Sequence, residues 1–136
     1  MTAAPRMTTQ QYNAYLAKRA AEKRAGSLDA LEMPASKAVE EERELQRDGE
    51  RWLNDNEIYF KHDNDSRKER PGIPDFLICY KGFVGAEAKS RTGKLSIDQR
   101  NEMARIRKSG GRTFVFRSLE ELIYKLTEGI NEERPR

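Results

Sequence analysis

The chain has a single cysteine, Cys79, a single histidine, His62, and a single tryptophan, Trp52. One cysteine inside an apolar run leaves no disulfide framework and excludes a zinc centre of the multi-cysteine kind, and it suits a reducing compartment. Long hydrophobic runs are also missing. No stretch comes near the ~20 apolar residues that a membrane helix requires, and the N-terminal residues carry no apolar core of a secretory signal. A soluble cytoplasmic protein with no membrane partner is therefore expected. No internal repeat is present, and 136 residues suffice for one domain around one modest core.

A strong excess of either charge is lacking as well, since 26 Lys and Arg face 23 Asp and Glu, for a formal net charge of +3. The distribution is uneven, however. Basic residues gather in 18–24, 67–70 and 89–108, a pattern that fits a polyanionic partner and equally an ordinary solvated surface.

What is present divides at about residue 36. Residues 1–36 form a basic N-terminal extension, helical or partly disordered, in which Tyr12, Leu16 and Lys23 make only a thin apolar stripe. Gly26, Ser27 and Pro34 mark 26–36 as a linker. From Ser36, a candidate N-cap, the spacing of Val39, Glu42, Leu45, Gln46, Gly49, Trp52 and Leu53 predicts a helix. Residues 57–62 alternate apolar and polar side chains and predict a short strand, followed by a polar loop.

The runs PDFLICY and FVGAEAKS predict two strands of a hairpin. Ser96 precedes a helix with Gln99, Met103 and Ile106 on one stripe, ended by Gly110 and Gly111. TFVFR predicts a further strand. Ser118 with Glu121 forms a capping box ahead of a last helix whose face holds Leu119, Leu122, Ile123, Leu126 and Ile130. This order implies an α/β fold with a mixed sheet flanked by helices over residues 37–130, and a frayed tail at 131–136.

The hairpin carries the chemistry. Asp75 follows Pro74, and Glu87-Ala88-Lys89 lies on the second strand, so two acids and a lysine stand among apolar residues, where charge needs a reason. Residues two apart on a strand share a face, which puts Glu87 and Lys89 together with the small Gly85. Asp75 joins them only in one register. A two-residue turn sets it opposite Ala88, on the wrong face. A three-residue loop of Tyr80, Lys81 and Gly82 pairs Cys79 with Phe83 and sets Asp75 opposite Glu87, with Gly82 left-handed. This second register is the expected one. Two carboxylates held so close repel each other, and a shared proton or a divalent cation relieves them. Oxygen ligands favour Mg2+ or Mn2+, and such a cation with a neighbouring lysine suits phosphodiester hydrolysis.

The segment GIPDFLICYKGFVGAEAKS resembles the PD-(D/E)XK nuclease signature, with Asp75, Glu87 and Lys89 at its three positions. Gly72-Ile73-Pro74-Asp75, Glu87-Ala88-Lys89, Leu95-Ser96, Gln99 and the glycines before the next strand are similar to the VRR-NUC branch, common in phages, over about residues 38–127. The resemblance implies a restriction-endonuclease-like core and a DNA endonuclease, with branched or junction DNA as a candidate substrate and a homodimer as a candidate assembly. It implies that Asp75, Glu87, the Ala88 carbonyl and a helical glutamate hold the metal. Glu42 fits that last place best, with Glu41 and Glu44 as rivals. It also implies that Gln99 projects toward the site. Gln99, Arg91, Lys94 and Arg100 are the candidate nucleic-acid-binding residues.

Each assignment has a plainer counterpart. Asp75 after Pro74 also suits a turn or cap, Glu87 and Lys89 also suit an exposed ion pair, and Glu42 lies in an acidic run of the kind that usually faces water. His62, beside Asp63 and Asp65, invites a general-base role but reads better as an exposed loop histidine. Trp52 reads as a core anchor. The competing functions are a non-catalytic nucleic-acid-binding or assembly factor on the same fold and an RNA-directed hydrolase.

Overall fold

The hairpin is the centre of the architecture. Strands β2 (Phe76–Cys79) and β3 (Phe83–Ala88) pair antiparallel with Cys79 opposite Phe83 and Phe76 opposite Ala86. Tyr80, Lys81 and Gly82 are left as the three-residue loop, and both Lys81 (φ 50°) and Gly82 (φ 119°) take the left-handed conformation that closes it. The expected register is the observed one.

The computed structural model describes residues 8–25, 35–62 and 70–133. Around the hairpin they form α1 (Thr9–Ala25), α2 (Ala35–Asp55), β1 (Phe60–His62), α3 (Ile97–Lys108), β4 (Arg112–Phe116) and α4 (Leu119–Thr127). The chain is thus α/β, with a four-stranded mixed sheet in the order β1-β2-β3-β4 flanked by helices. Only β3 and β4 are parallel, joined by the crossover through α3. Most of the 26–36 linker, the loop at 63–69, the side chain of Lys23 and the tail at 134–136 lie outside the described residues. Among the described residues no helix is long and apolar enough to cross a membrane.

The sheet separates two kinds of packing. Phe76, Ile78, Val84, Ala86, Ala88, Phe114 and Phe116 share one face and are buried with Leu45 and Leu53 of α2 and Leu122 and Leu126 of α4. Trp52 packs on the edge of this cluster as an anchor. Gly49 lets α2 come close, because a Cβ there would sit 3.2 Å from Leu122 and 3.6 Å from Phe76. The other face is covered by α3, whose Ile106 approaches Gly85 so closely that a Cβ would lie 2.8 Å from it.

Helix ends follow local chemistry. Ser96 accepts from the Gln99 amide and Gln99 Oε1 accepts from the Ser96 N–H, a complete capping box on α3. Ser118 accepts from the Glu121 N–H at the start of α4, but the Glu121 side chain turns instead to the Tyr15 hydroxyl (2.8 Å) and Lys125 (3.1 Å).

Several sequence expectations need correction. Helix α2 begins at Ala35, so Ser36 lies inside its first turn rather than at its cap. Val39 is half exposed, and the buried stripe of α2 starts only at Leu45. Strand β1 spans three residues instead of six, because Glu57 adopts a left-handed turn (φ 56°) after α2. Ile130 lies beyond α4, which ends at Thr127 ahead of Gly129 (φ 72°).

The first and last described segments meet the core in definite ways. On α1, Tyr12 stacks face to face on Tyr124 of α4, with ring centroids 3.7 Å apart and planes 2° from parallel. Asn131 and Glu132, in the segment expected to fray, run along the free edge of β4: Thr113 N–H donates to Asn131, Val115 N–H to Glu132, and the Glu132 N–H to the Thr113 carbonyl at 2.7 Å. That edge is thereby closed to further strands.

Candidate metal centre

Three carboxylates converge at the C-terminal end of β3. Continuing the β2–β3 register one residue past Phe76–Ala86 sets Asp75 opposite Glu87, and the hydrogen bonds agree. The Ala88 N–H donates to Asp75 Oδ2 (3.1 Å), and the Asp75 N–H donates to Glu87 Oε2 (3.2 Å). Glu42 arrives from α2. One carboxylate oxygen from each of Glu42, Asp75 and Glu87 lies within 4.8 Å of the other two. Asp75 and Glu87 are buried, at 8% and 2% exposure, and Glu42 is half-buried. An exposed Glu87–Lys89 surface pair and a solvated Glu42 therefore do not describe this site.

The approach of these residues depends on small ones. Gly72 (φ +88°) packs its backbone against the first turn of α3, where a Cβ would lie 2.3 Å from the Asp98 carbonyl. This contact ties the strand entry that carries Asp75 to the helix that carries Gln99. A side chain at 72 meets both a left-handed backbone and a steric wall, so Gly72→Val is expected to destabilise the fold by roughly 2–4 kcal/mol. Chemical denaturation checks this, and unchanged stability would show the contact to be dispensable.

Gln99 uses both ends of its amide internally. Its oxygen completes the α3 cap and its Nε2 donates to Glu87 Oε1 at 3.2 Å. It projects toward the site, as expected, and its observed partner is the carboxylate it orients.

Burial and proximity shift the acids strongly. Burial, then the Asp75 charge and a hydrogen bond to the Asp75 carboxyl, push Glu87 up to about 9 against a weaker opposing pull from Lys89. Glu87 is thereby held toward its protonated form at neutral pH in the cation-free protein, beside the Asp75 carboxyl. Glu42 is also raised, first by burial and then by the Asp75 charge; Lys89, the Ser90 N–H and Arg117 oppose this rise. Lys89 is close enough to act on both glutamates, and the Lys89 backbone N–H is held by the Phe116 carbonyl (3.1 Å).

The rival acids go elsewhere. Glu41 accepts from the Arg91 N–H (3.0 Å) and pairs with its guanidinium (3.4 Å), so Glu41, a rival to Glu42 for the metal, and Arg91, a candidate nucleic-acid contact, are spent in part on each other. Glu44 is exposed, as are Lys94 and Arg100. Ala88 is fully buried beside Asp75, and its N–H points to that carboxylate.

Comparison of the chain with protein-family models, with curated proteins and with solved structures gave no match.

His62 is not an exposed loop residue. It ends β1 with its side chain 9% exposed, stacked on Phe76 (4.4 Å) and bonded through Nδ1 to Glu50 (3.1 Å). It pairs with Phe76, on the face of the sheet opposite Asp75 and Glu87, so it is no general base for their site.

The donor set fits a hard divalent cation. Oxygens bound to one such ion lie 2.0–2.6 Å from it, which allows ligand separations up to roughly 4–5 Å, and the three carboxylates meet that span.

Proposed function

We propose that the chain is a Mg2+- or Mn2+-dependent phosphodiester hydrolase that cuts DNA, with a restriction-endonuclease-like core of the PD-(D/E)XK kind and its closest resemblance to the VRR-NUC branch. One observation carries the reading: the three carboxylates of Glu42, Asp75 and Glu87 converge at one largely buried point, with Lys89 acting on both glutamates from the end of β3. Glu42, Asp75 and Glu87 would hold the cation, with the Ala88 carbonyl as a further oxygen donor. A divalent cation held there supplies Lewis acidity and neutralises charge that builds on a phosphodiester under attack.

The protein's own groups do the rest. Lys89, beside the carboxylates, orients the attacking water and can take or hold its proton. Gln99 and the Ala88 N–H keep Glu87 and Asp75 from rotating away. The exposed Lys94 and Arg100, with the basic stretch from 89 to 108, meet phosphates of the substrate backbone. Binding is then expected to weaken steeply with salt.

The test is cleavage of plasmid, linear, branched and single-stranded DNA, with RNA side by side, in Mg2+, in Mn2+ and in chelator. Metal-dependent scission of DNA is the expected result. Salt-sensitive binding with no scission of any substrate in either metal would overturn the hydrolase reading in favour of a non-catalytic binding factor. Scission of RNA alone would move the activity to the other sugar.

A further inference from the structure

Strand β4 delivers one more charged side chain to the end of the sheet. Ala88 pairs with Phe116 in the parallel β3–β4 ladder, so the same register sets Arg117 beside Lys89 as both leave the sheet. We propose that Arg117 is a positioning residue that closes the turn at 90–93 and thereby fixes where Lys89 meets the three carboxylates. This inference rests on the hydrolase reading above.

The turn is gripped from two sides. On one side α2 holds it through Glu41, which accepts from the Arg91 amide (3.0 Å) and pairs with the Arg91 guanidinium (3.4 Å). On the other side Arg117 holds its carbonyls, with Nη1 donating to the Ser90 oxygen at 2.6 Å and to the Gly93 oxygen at 2.8 Å. The Gly93 N–H then closes the turn onto the Ser90 carbonyl (3.2 Å). Bonds from an ionised donor of this length are among the stronger ones available to a protein.

The closed turn bears directly on Lys89. A Cβ at Gly93 would lie 3.3 Å from Lys89 Cδ and 3.1 Å from Ser90 Oγ, so the turn packs against the stem of the lysine. Ser90 itself is 2% exposed. The guanidinium is also near enough to Glu42 to favour its charged form, and so it sits within the electrostatic reach of the site. Nothing in the sequence signals this, because Arg117 stands 24 and 27 residues from its two carbonyl partners.

Arg117→Ala, Arg117→Lys and the wild-type protein are compared in three measurements: steady-state DNA cleavage, Mg2+ binding by calorimetry, and amide hydrogen exchange at Ser90, Arg91 and Gly93. A misplaced catalytic group costs on the order of 100-fold. Arg117→Ala is therefore expected to lower kcat about that much with KM unchanged, to speed exchange at those three amides alone, and to keep Mg2+ binding at the carboxylates. Arg117→Lys, with a single charge on a shorter stem, recovers part of kcat and part of the protection. Should Arg117→Ala lose the global fold, Arg117→Lys decides by the same readings. Full kcat in a folded Arg117 variant, or unchanged protection of the three amides, overturns the proposal while leaving the hydrolase reading intact. A wild-type protein that binds Mg2+ without cutting any nucleic acid overturns the hydrolase reading, and the positioning role falls with it.

Discussion

Lys89→Ala is expected to reduce DNA cleavage by roughly 10²- to 10⁴-fold, the range typical of a positioned proton-transfer group, while calorimetry still finds a cation bound. In the proposed reading the lysine lies beside the carboxylates without being a ligand, so its loss would remove the group that handles the water and leave the donor set in place. Its charge also opposes the raised titration of Glu42 and Glu87. Removing it leaves those acids harder to ionise, and the variant is expected to need higher pH for the cation to bind. Asp75→Ala behaves differently. It takes away a ligand and the acceptor of the Ala88 N–H (3.1 Å), so binding and cleavage fail together. Equal activity in wild type and both variants would remove the catalytic assignment.

Cation binding is expected to release a proton between pH 5 and pH 9. Glu87 is pushed up to about 9, by burial first and the Asp75 charge next, so it is protonated across that window in the cation-free protein. A bound cation requires it ionised. Affinity should therefore rise with pH through this window, and the calorimetric heat should depend on the ionisation enthalpy of the buffer. The linkage has a counterpart in stability. A carboxyl whose folded pKa lies above its unfolded value of 4.5 binds more protons in the native state between the two. Without cation, stability then falls as pH rises from about 4.5 toward 9. Glu87→Gln mimics the protonated acid, so its stability should fall less with pH over the range, with Glu42 still contributing, and its cation affinity should be lost. A cation affinity independent of pH and buffer would contradict a protonated Glu87 in the cation-free protein.

Much of the arrangement was legible because it obeys local rules. The period-two alternation of β3 put Glu87 and Lys89 on one face with Gly85, and the need for a left-handed residue at Gly82 selected the loop that brings Asp75 opposite Glu87. The helix after Ser96 was readable from its stripe and closing glycines, and the capping box that Gln99 forms with Ser96 appears only in the structure. The reversal of Glu121 was not, because its side chain is drawn to Tyr15, 106 residues away. His62 misled for a similar reason. Beside polar loop residues it looked exposed, yet Phe76 and Glu50 bury it from other elements.

By itself the sequence determined the order of elements, the hairpin register and the identity of the acids on its strands, because strand alternation, turn conformation and helix caps act over a few residues at a time. The tertiary structure alone decided which of Glu41, Glu42 and Glu44 joins Asp75 and Glu87, that Glu41 turns to Arg91, and that Gln99 spends its amide on Glu87. Those choices depend on how α2 and α3 seat against the sheet. That seating is set by close approaches at Gly49, Gly72 and Gly85 to residues far along the chain, contacts that no local pattern encodes.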